Sequence, residues 1–152
     1  MKQTPEMDRI QQEMHPGIIT QNGFLGDDSR HLNDMLQEQD AEIQRLGLTH
    51  EQIAARLAEL RDAGVQGLGQ PVRVEPHFEV TADSVRGRLP CPFMHGVTVG
   101  KLNTTIRNLA SGETITVTDL TIHLIKDHGF YGGHGAPFAI TPEHLARFLE
   151  LT

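Results

Sequence analysis

Four side chains in the C-terminal half of the chain have the types and spacing of metal ligands. Cys91, the only cysteine, stands four positions before His95, and His123 and His128 flank a four-residue segment further along. Thiolate sulfur and imidazole nitrogen are preferred zinc donors, held at about 2.0 to 2.3 Å in a tetrahedron. The pattern therefore predicts a Zn²⁺ site formed by Cys91, His95, His123 and His128.

The elements predicted around these residues can bring them together. Cys91 and His95 lie in one short loop, whose start is stiffened by Pro92. Residues 104–109 and 114–118 are rich in β-branched side chains and are joined by a turn sequence, which predicts a β-hairpin. A helix over residues 120–128 follows, with Asp119 as its predicted cap and Gly129 as its left-handed end.

A loop with two ligands, a hairpin and a helix with two more resembles a zinc finger of the treble-clef or a related type. The resemblance covers residues 88–130 and implies a structural zinc ion. The chain departs from the family twice. The loop reads Cys-x3-His, where most such fingers have Cys-x2-Cys. His123 and His128, five positions apart, lie about 140° apart around an ideal helix, so we expect the helix to unwind or tighten before His128.

The number of protein ligands decides between two functions. Four ligands complete the tetrahedron and leave no position for water, which predicts a structural, non-enzymatic site. The alternative is a metal-dependent hydrolase in which Cys91, His95 and His123 hold a metal with bound water. A carboxylate would then act as base, the candidates being Asp119, Asp127 and Glu113. The closed site is preferred because no motif such as H-E-x-x-H places a carboxylate.

Two hypotheses need no metal. Cys91 can be an ordinary buried core residue, with His123 and His128 as favourable charges at a helix C-terminus. Cys91 can also be a nucleophile with His95 as its base. That hypothesis is the weakest, because no third residue that orients the base can be identified.

Residues 129–138 contain four glycines and three aromatic side chains, an unusual local composition. Such a loop approaches a ligand or another backbone closely. The simpler interpretation is a tight turn over the metal site, with Phe130 and Phe138 packed inward. His134 is a possible substitute ligand.

The front half of the chain predicts helices. A short polar helix is expected within residues 4–14. A second helix follows a cap at Asp28 or Ser29, and Thr49 with Gln52 forms a capping box for a third. We interpret the second and third helices as a helical hairpin.

Beyond a glycine-rich break at residues 67–71, apolar and polar residues alternate over 72–74 and 78–80, which predicts strands. A separate short strand is expected at 85–89, and a last helix begins after Thr141. The chain is therefore predicted to be α+β. A helical N-terminal segment (1–66) accompanies an antiparallel β-rich, zinc-stabilised C-terminal domain (72–152), either as two parts or as one compact unit.

Charge and composition restrict the functional classes. The net charge of −7 argues against a general nucleic-acid binder, which would need a basic face. Residues 48–57 resemble the first helix of a helix-turn-helix, but no basic recognition helix follows, so a DNA-binding regulator is only an alternative. The negative charge is concentrated in residues 1–70, which contain six Lys/Arg and twelve Asp/Glu. The preferred function is a binding or adaptor module whose protein partner contacts these acidic N-terminal helices or the 129–138 loop.

The same features suggest a location. A single cysteine rules out an internal disulfide, and no stretch resembles a signal peptide or a membrane span. We therefore expect a soluble, cytoplasmic protein without membrane contact, and a bacterial source fits this description.

Overall fold

The computed structural model describes residues 3–152, which form five helices and a four-stranded sheet. The predicted α+β class is confirmed. In chain order, the elements are α1 (Pro5–Glu13), α2 (Leu32–Arg45), α3 (His50–Val65), β1 (Val72–Val74), β2 (Phe78–Pro90), β3 (Thr98–Asn108), β4 (Thr114–Thr118), α4 (Asp119–His128) and α5 (Pro142–Phe148).

The start of α2 differs from the prediction. His31 is its N-cap residue and forms no side-chain cap, while the Asp28 carboxylate accepts hydrogen bonds from the Arg30 backbone and guanidinium. Two backbone N–H groups of the first turn of α2, which have no partner within the helix, donate instead to glutamine side chains. The distances are 2.9 Å to Gln11 Oε1 and 2.8 Å to Gln3 Oε1. A distant segment therefore replaces the local cap.

The predicted helical hairpin is wrong, although its helices exist. The Thr49 capping box is confirmed, with Gln52 as the reciprocal partner. However, α2 packs mainly on α1 and α5, while α3 packs on α4 and β2. The reason is tertiary: the apolar stripe of α3, with Leu57 and Leu60, is buried against the sheet and α4 rather than against its neighbour in sequence.

The sheet is antiparallel throughout, in the order β1-β2-β3-β4. The predicted separate strand at 85–89 is the continuation of β2, which has a register shift between Val85 and Arg88. The β3–β4 hairpin is confirmed, with Arg107 opposite Thr114, and β3 starts earlier than predicted, at Thr98. The outer part of β2 and β3 thus forms a two-stranded ribbon that leads into the Cys91 loop.

Two buried hydrophobic clusters form the core. The first contains Leu57 of α3 and Ile106 of β3, together with α5 and the inner side of the sheet. The second contains Met35 of α2, Leu124 of α4 and Cys91. Each cluster draws residues from both 1–66 and 72–152, and the predicted ligands lie at the margin of the second.

The glycine-rich loop is attached to α2 by a buried side chain. Gln39 Oε1 accepts from the Tyr131 backbone N–H at 3.0 Å, and Gln39 Nε2 donates to the Gly132 carbonyl at 2.9 Å. Phe130 is buried as predicted, but Phe138 is 44% exposed, which corrects its predicted inward position. Within residues 3–152, no helix combines the length and the apolar run that crossing a bilayer requires.

Candidate metal centre

The four residues predicted as ligands converge on one point. One donor atom from each of Cys91, His95, His123 and His128 lies within 4.8 Å of all the others. His95 Nε2 is 3.2 Å from His123 Nε2 and 3.2 Å from His128 Nε2, while Cys91 Sγ is 3.5 Å from His128 Nε2. Cys91 is buried, His95 is exposed and the helical histidines are half-buried. The centre therefore lies at the protein surface, with His95 on its solvent side.

A tight loop between β2 and β3 positions the first two donors. The Cys91 backbone N–H donates to the Val97 carbonyl at 2.9 Å, and the Met94 N–H donates to the Cys91 carbonyl at 3.2 Å. Met94 adopts a left-handed conformation, with a φ of 59°. This reversal brings His95 back towards the start of the loop, so that Cys91 and His95 lie together beside α4.

Helix α4 supplies the other two donors without unwinding. Its N-cap is Thr118, whose hydroxyl accepts from the Thr121 N–H at 3.0 Å, rather than the predicted Asp119. The helix remains α-helical to His128, and Gly129 ends it with a φ of 63°, as predicted. The expected distortion before His128 is therefore wrong. An imidazole ring lies several bonds from the backbone. Two such rings on different sides of the end of α4 can therefore reach the same point.

Three of the six distances between donor atoms match those of a tetrahedral zinc site, and all six are within 4.8 Å. Zn–N bonds of about 2.0 to 2.1 Å place two nitrogens roughly 3.3 to 3.4 Å apart, and a Zn–S bond of about 2.3 Å places sulfur roughly 3.6 Å from nitrogen. The observed nitrogen pairs are at 3.2 Å and the sulfur–nitrogen pair is at 3.5 Å. The three contacts thus have the lengths of tetrahedral edges.

Hydrogen bonding cannot account for the cluster. His95 Nε2 has two imidazole nitrogens at 3.2 Å, but one ring nitrogen offers a single proton or a single lone pair. At most one of the two contacts can be a hydrogen bond. The rings of His95 and His123 are also nearly parallel, at 10°, with centroids 5.2 Å apart. A central cation uses all the lone pairs at once.

Two neighbours orient the imidazoles. Asp127 Oδ2 lies 3.3 Å from His123 Nδ1, one helical turn away. The negative charge of this carboxylate favours a proton on Nδ1, which leaves the lone pair of Nε2 for a metal. The Phe93 ring stacks on His128 at 3.9 Å with an interplanar angle of 5°. The stack supports His128 in the orientation in which its Nε2 faces the centre.

The electrostatic environment favours neutral imidazoles. Burial, followed by the charges of His95 and His123, lowers the pKa of His128 to about 4. Burial also lowers the pKa of His123, against the opposing effect of Asp127. Both rings are thus neutral at pH 7, the form that binds metal. A neutral His128 carries no positive charge to interact with the helix C-terminus, whereas the buried position of Cys91 in the second hydrophobic cluster agrees with the metal-free interpretation as well.

Burial raises the pKa of the Cys91 thiol. Without a metal this group is therefore protonated at neutral pH, and it is not the activated nucleophile of the weakest hypothesis. Metal binding would displace the thiol proton, as it does in cysteine-containing zinc sites generally.

The other proposed site residues lie in different interactions. Asp119 pairs with Arg61 at 3.4 Å, and Glu113 pairs with His144. His134, the suggested substitute ligand, lies 4.0 Å from the Asp28 carboxylate and does not belong to the cluster. The sequence interpretation missed Phe93. Its position two residues after Cys91 gives no signal that it stacks on a ring of α4.

The cluster has the donors and the spacing to hold one metal ion. A thiolate and three imidazoles form a donor set that suits zinc and other late first-row transition metals. No protein-family model, curated protein or solved structure matches the chain.

Proposed function

We propose that Cys91, His95, His123 and His128 bind one Zn²⁺ ion in a closed tetrahedral site with a structural role. The observation that carries the proposal is the convergence of the four donor atoms within 4.8 Å, with three of the six distances, 3.2, 3.2 and 3.5 Å, equal to the edge lengths expected of a tetrahedron around zinc. The order of loop, hairpin and helix supports it further, since treble-clef-like fingers arrange their ligands in this way. The bound ion would connect the β2–β3 loop to the end of α4.

If the metal site is closed, the protein interacts with other molecules through its surface and not at the metal. With four protein donors there is no position for a substrate or a reactive water, so the protein acts as a non-enzymatic binding or adaptor module. We propose a protein partner, bound through the acidic surface of the N-terminal helices, and a cytoplasmic location, where a cysteine ligand stays reduced. The net charge of −7 disfavours a nucleic-acid partner.

The hydrolase alternative requires that His128 does not bind the metal. The Phe93 stack and the 3.5 Å contact with Cys91 hold His128 in the cluster. The three carboxylates that could act as the base of such a hydrolase already interact with other side chains. Asp127 faces His123, Asp119 pairs with Arg61 and Glu113 pairs with His144. The closed site is therefore the better supported of the two.

Metal analysis of the His128→Ala variant tests the closed site. We expect the wild-type protein, purified without added metal, to contain about one zinc ion per chain by mass spectrometry, and His128→Ala to lose most of it on dialysis. His15→Ala is the matched control, because His15 is exposed and outside the cluster, and it should keep its zinc. Full zinc retention by His128→Ala would contradict four-ligand binding.

Cobalt substitution gives a second readout if His128→Ala folds poorly. Co²⁺ in the wild-type site should show the intense visible absorption of a tetrahedral complex and a thiolate-to-cobalt charge-transfer band. Cys91→Ser should lose that band. A weak visible spectrum typical of six-coordinate cobalt would indicate bound water and an open site.

Asp127→Asn should weaken zinc binding without abolishing it. The neutral amide removes the negative charge that lies 3.3 Å from His123 Nδ1 and favours a proton there, so the imidazole is a poorer ligand. Loss of such a supporting carboxylate typically costs 10- to 100-fold in metal affinity, which competition with a fluorescent chelator would measure. Asp62→Asn is the control, since its carboxylate is exposed and pairs with Arg61 outside the cluster, and its affinity should equal that of the wild type. Equal affinities of both variants would remove the orienting role of Asp127.

A further inference from the structure

A cavity separate from the metal centre lies between the β2–β3 ribbon, the start of α4 and two loop segments, 20–24 and 137–138. Its volume is about 270 Å³. The lining is mainly apolar, with side chains from four distant parts of the chain: Phe24, Val85, Leu89, Leu120 and Phe138. Small polar side chains, including Asn22, Asn103 and Thr121, complete it. An apolar interior with a few polar groups is the usual composition of a small-molecule site.

Two of the apolar side chains that line the cavity are exposed to solvent, unlike those of the core. Val85 is 55% exposed and Phe138 is 44% exposed. Phe138 also has a φ of 62°, a left-handed conformation that is uncommon for a residue with a bulky side chain. Such backbone strain is concentrated at ligand-binding positions and needs support from the surroundings. The fold thus holds an aromatic ring at the wall of an open cavity.

The cavity carries one charge, and it is positive. Of the lining residues that the structure describes, only Lys101 is charged. Its side chain is exposed, and it has no ion-pair partner among residues 3–152, although the chain as a whole is acidic. Lys101 Nζ would lie 3.7 Å from a Cβ atom placed on Gly87 of the same ribbon. A lysine without an ion-pair partner in the lining of an apolar cavity is complementary to a ligand with one negative charge and an apolar body.

We propose that this cavity binds a small monocarboxylate with an aromatic or aliphatic body, whose carboxylate pairs with Lys101. The apolar body would cover the exposed surface of Val85 and Phe138, which supplies the hydrophobic part of the affinity. The proposal does not depend on the metal site, although both share α4: Leu120 and Thr121 lie in its first turn, and the histidines lie nearer its end.

The test compares a carboxylate probe with its neutral analogue in the metal-loaded protein. Phenylacetate and 2-phenylacetamide are titrated separately and followed by ¹H–¹⁵N NMR. We expect phenylacetate to shift the amides of Lys101, Leu120 and Phe138, and to bind at least about tenfold more tightly than the amide, the low end of the ratio expected for one charged hydrogen bond. Lys101→Gln should reduce phenylacetate affinity by the same factor and leave phenylacetamide unaffected.

Lys126→Gln is the matched control, since Lys126 is an exposed lysine of α4 that does not line the cavity. Its phenylacetate affinity should equal that of the wild type. Phe138→Ala should weaken both probes, because it removes apolar wall without changing the charge. Octanoate serves as a second carboxylate probe with an aliphatic body. The proposal is overturned if neither carboxylate binds at millimolar concentration, if the shifts map elsewhere, or if carboxylate and amide bind equally well.

Discussion

If the proposed zinc ion is bound, its removal by a strong chelator is expected to lower the melting temperature of the protein by roughly 8 to 16 °C. A ligand present at about a thousand times its Kd stabilises the folded state by about 4 kcal/mol. In a domain of this size, 1 kcal/mol corresponds to about 2 to 4 °C. The stabilisation is lost on chelation because the four donors come from two parts of the chain, the loop after β2 and helix α4. Thermal melts of the same sample with and without chelator measure it.

After chelation, the structure should be destabilised near the ligands before the rest of the protein unfolds. Hydrogen exchange after chelation should increase first at residues 91–97 and in the last turn of α4, where the ligands lie. The first hydrophobic cluster, which contains Phe78 and Ile106 but none of the ligands, should keep its protection longest. Cys91→Ser provides the control, since a chelator should change its melting temperature little. An unchanged melting temperature after verified metal loss would contradict a structural role.

The candidate site could be predicted because its donors are rare residue types in a recognisable order. One cysteine and three histidines placed around a loop, a hairpin and a helix restrict the possible geometry strongly. The supporting contacts could not be predicted in the same way. Phe93 stacks on His128 across 35 positions of sequence, and a local pattern contains no information about such a contact. The sequence suggests Asp127 only as a possible base, although its position four residues after His123 is the spacing at which side chains pair along a helix.

The fold shows the same difference between features that depend on nearby residues and features that depend on distant ones. Three signals contained within a few residues were correct: the Thr49 capping box, the left-handed Gly129 and the β3–β4 hairpin. One local prediction was wrong by a single residue, since Thr118 rather than Asp119 caps α4. The larger errors arose where a distant partner replaced a local one. The first turn of α2 is satisfied by glutamines near α1, and α2 and α3 pack on other elements rather than on each other. Tertiary contacts decided these features, and periodicity within one segment cannot predict them.

The glycines of the 129–138 loop are explained by close approach to another backbone segment of the same chain, which the sequence did not identify. The Gly133 N–H donates to the Phe24 carbonyl at 2.9 Å, and the Asp27 N–H donates to the His134 carbonyl at 2.8 Å. The loop therefore lies directly against residues 24–27. A Cβ atom on Gly133 would overlap the Leu25 carbonyl oxygen and lie 2.8 Å from the carbonyl carbon. These are backbone atoms, which cannot rotate away as a side chain can.

Gly133→Ala is therefore expected to destabilise the protein by roughly 3 kcal/mol, the upper range for overpacking of a well-packed region, which corresponds to about 6 to 12 °C. Gly100→Ala is the matched control. Gly100 also lacks a left-handed φ, but a Cβ there meets nothing within 4 Å, and alanine should leave stability unchanged or raise it slightly. Urea unfolding of both variants with metal bound gives the comparison. Because the substitution is the same, a similar change in both would show that the 24–27 and 129–138 segments are not held in contact.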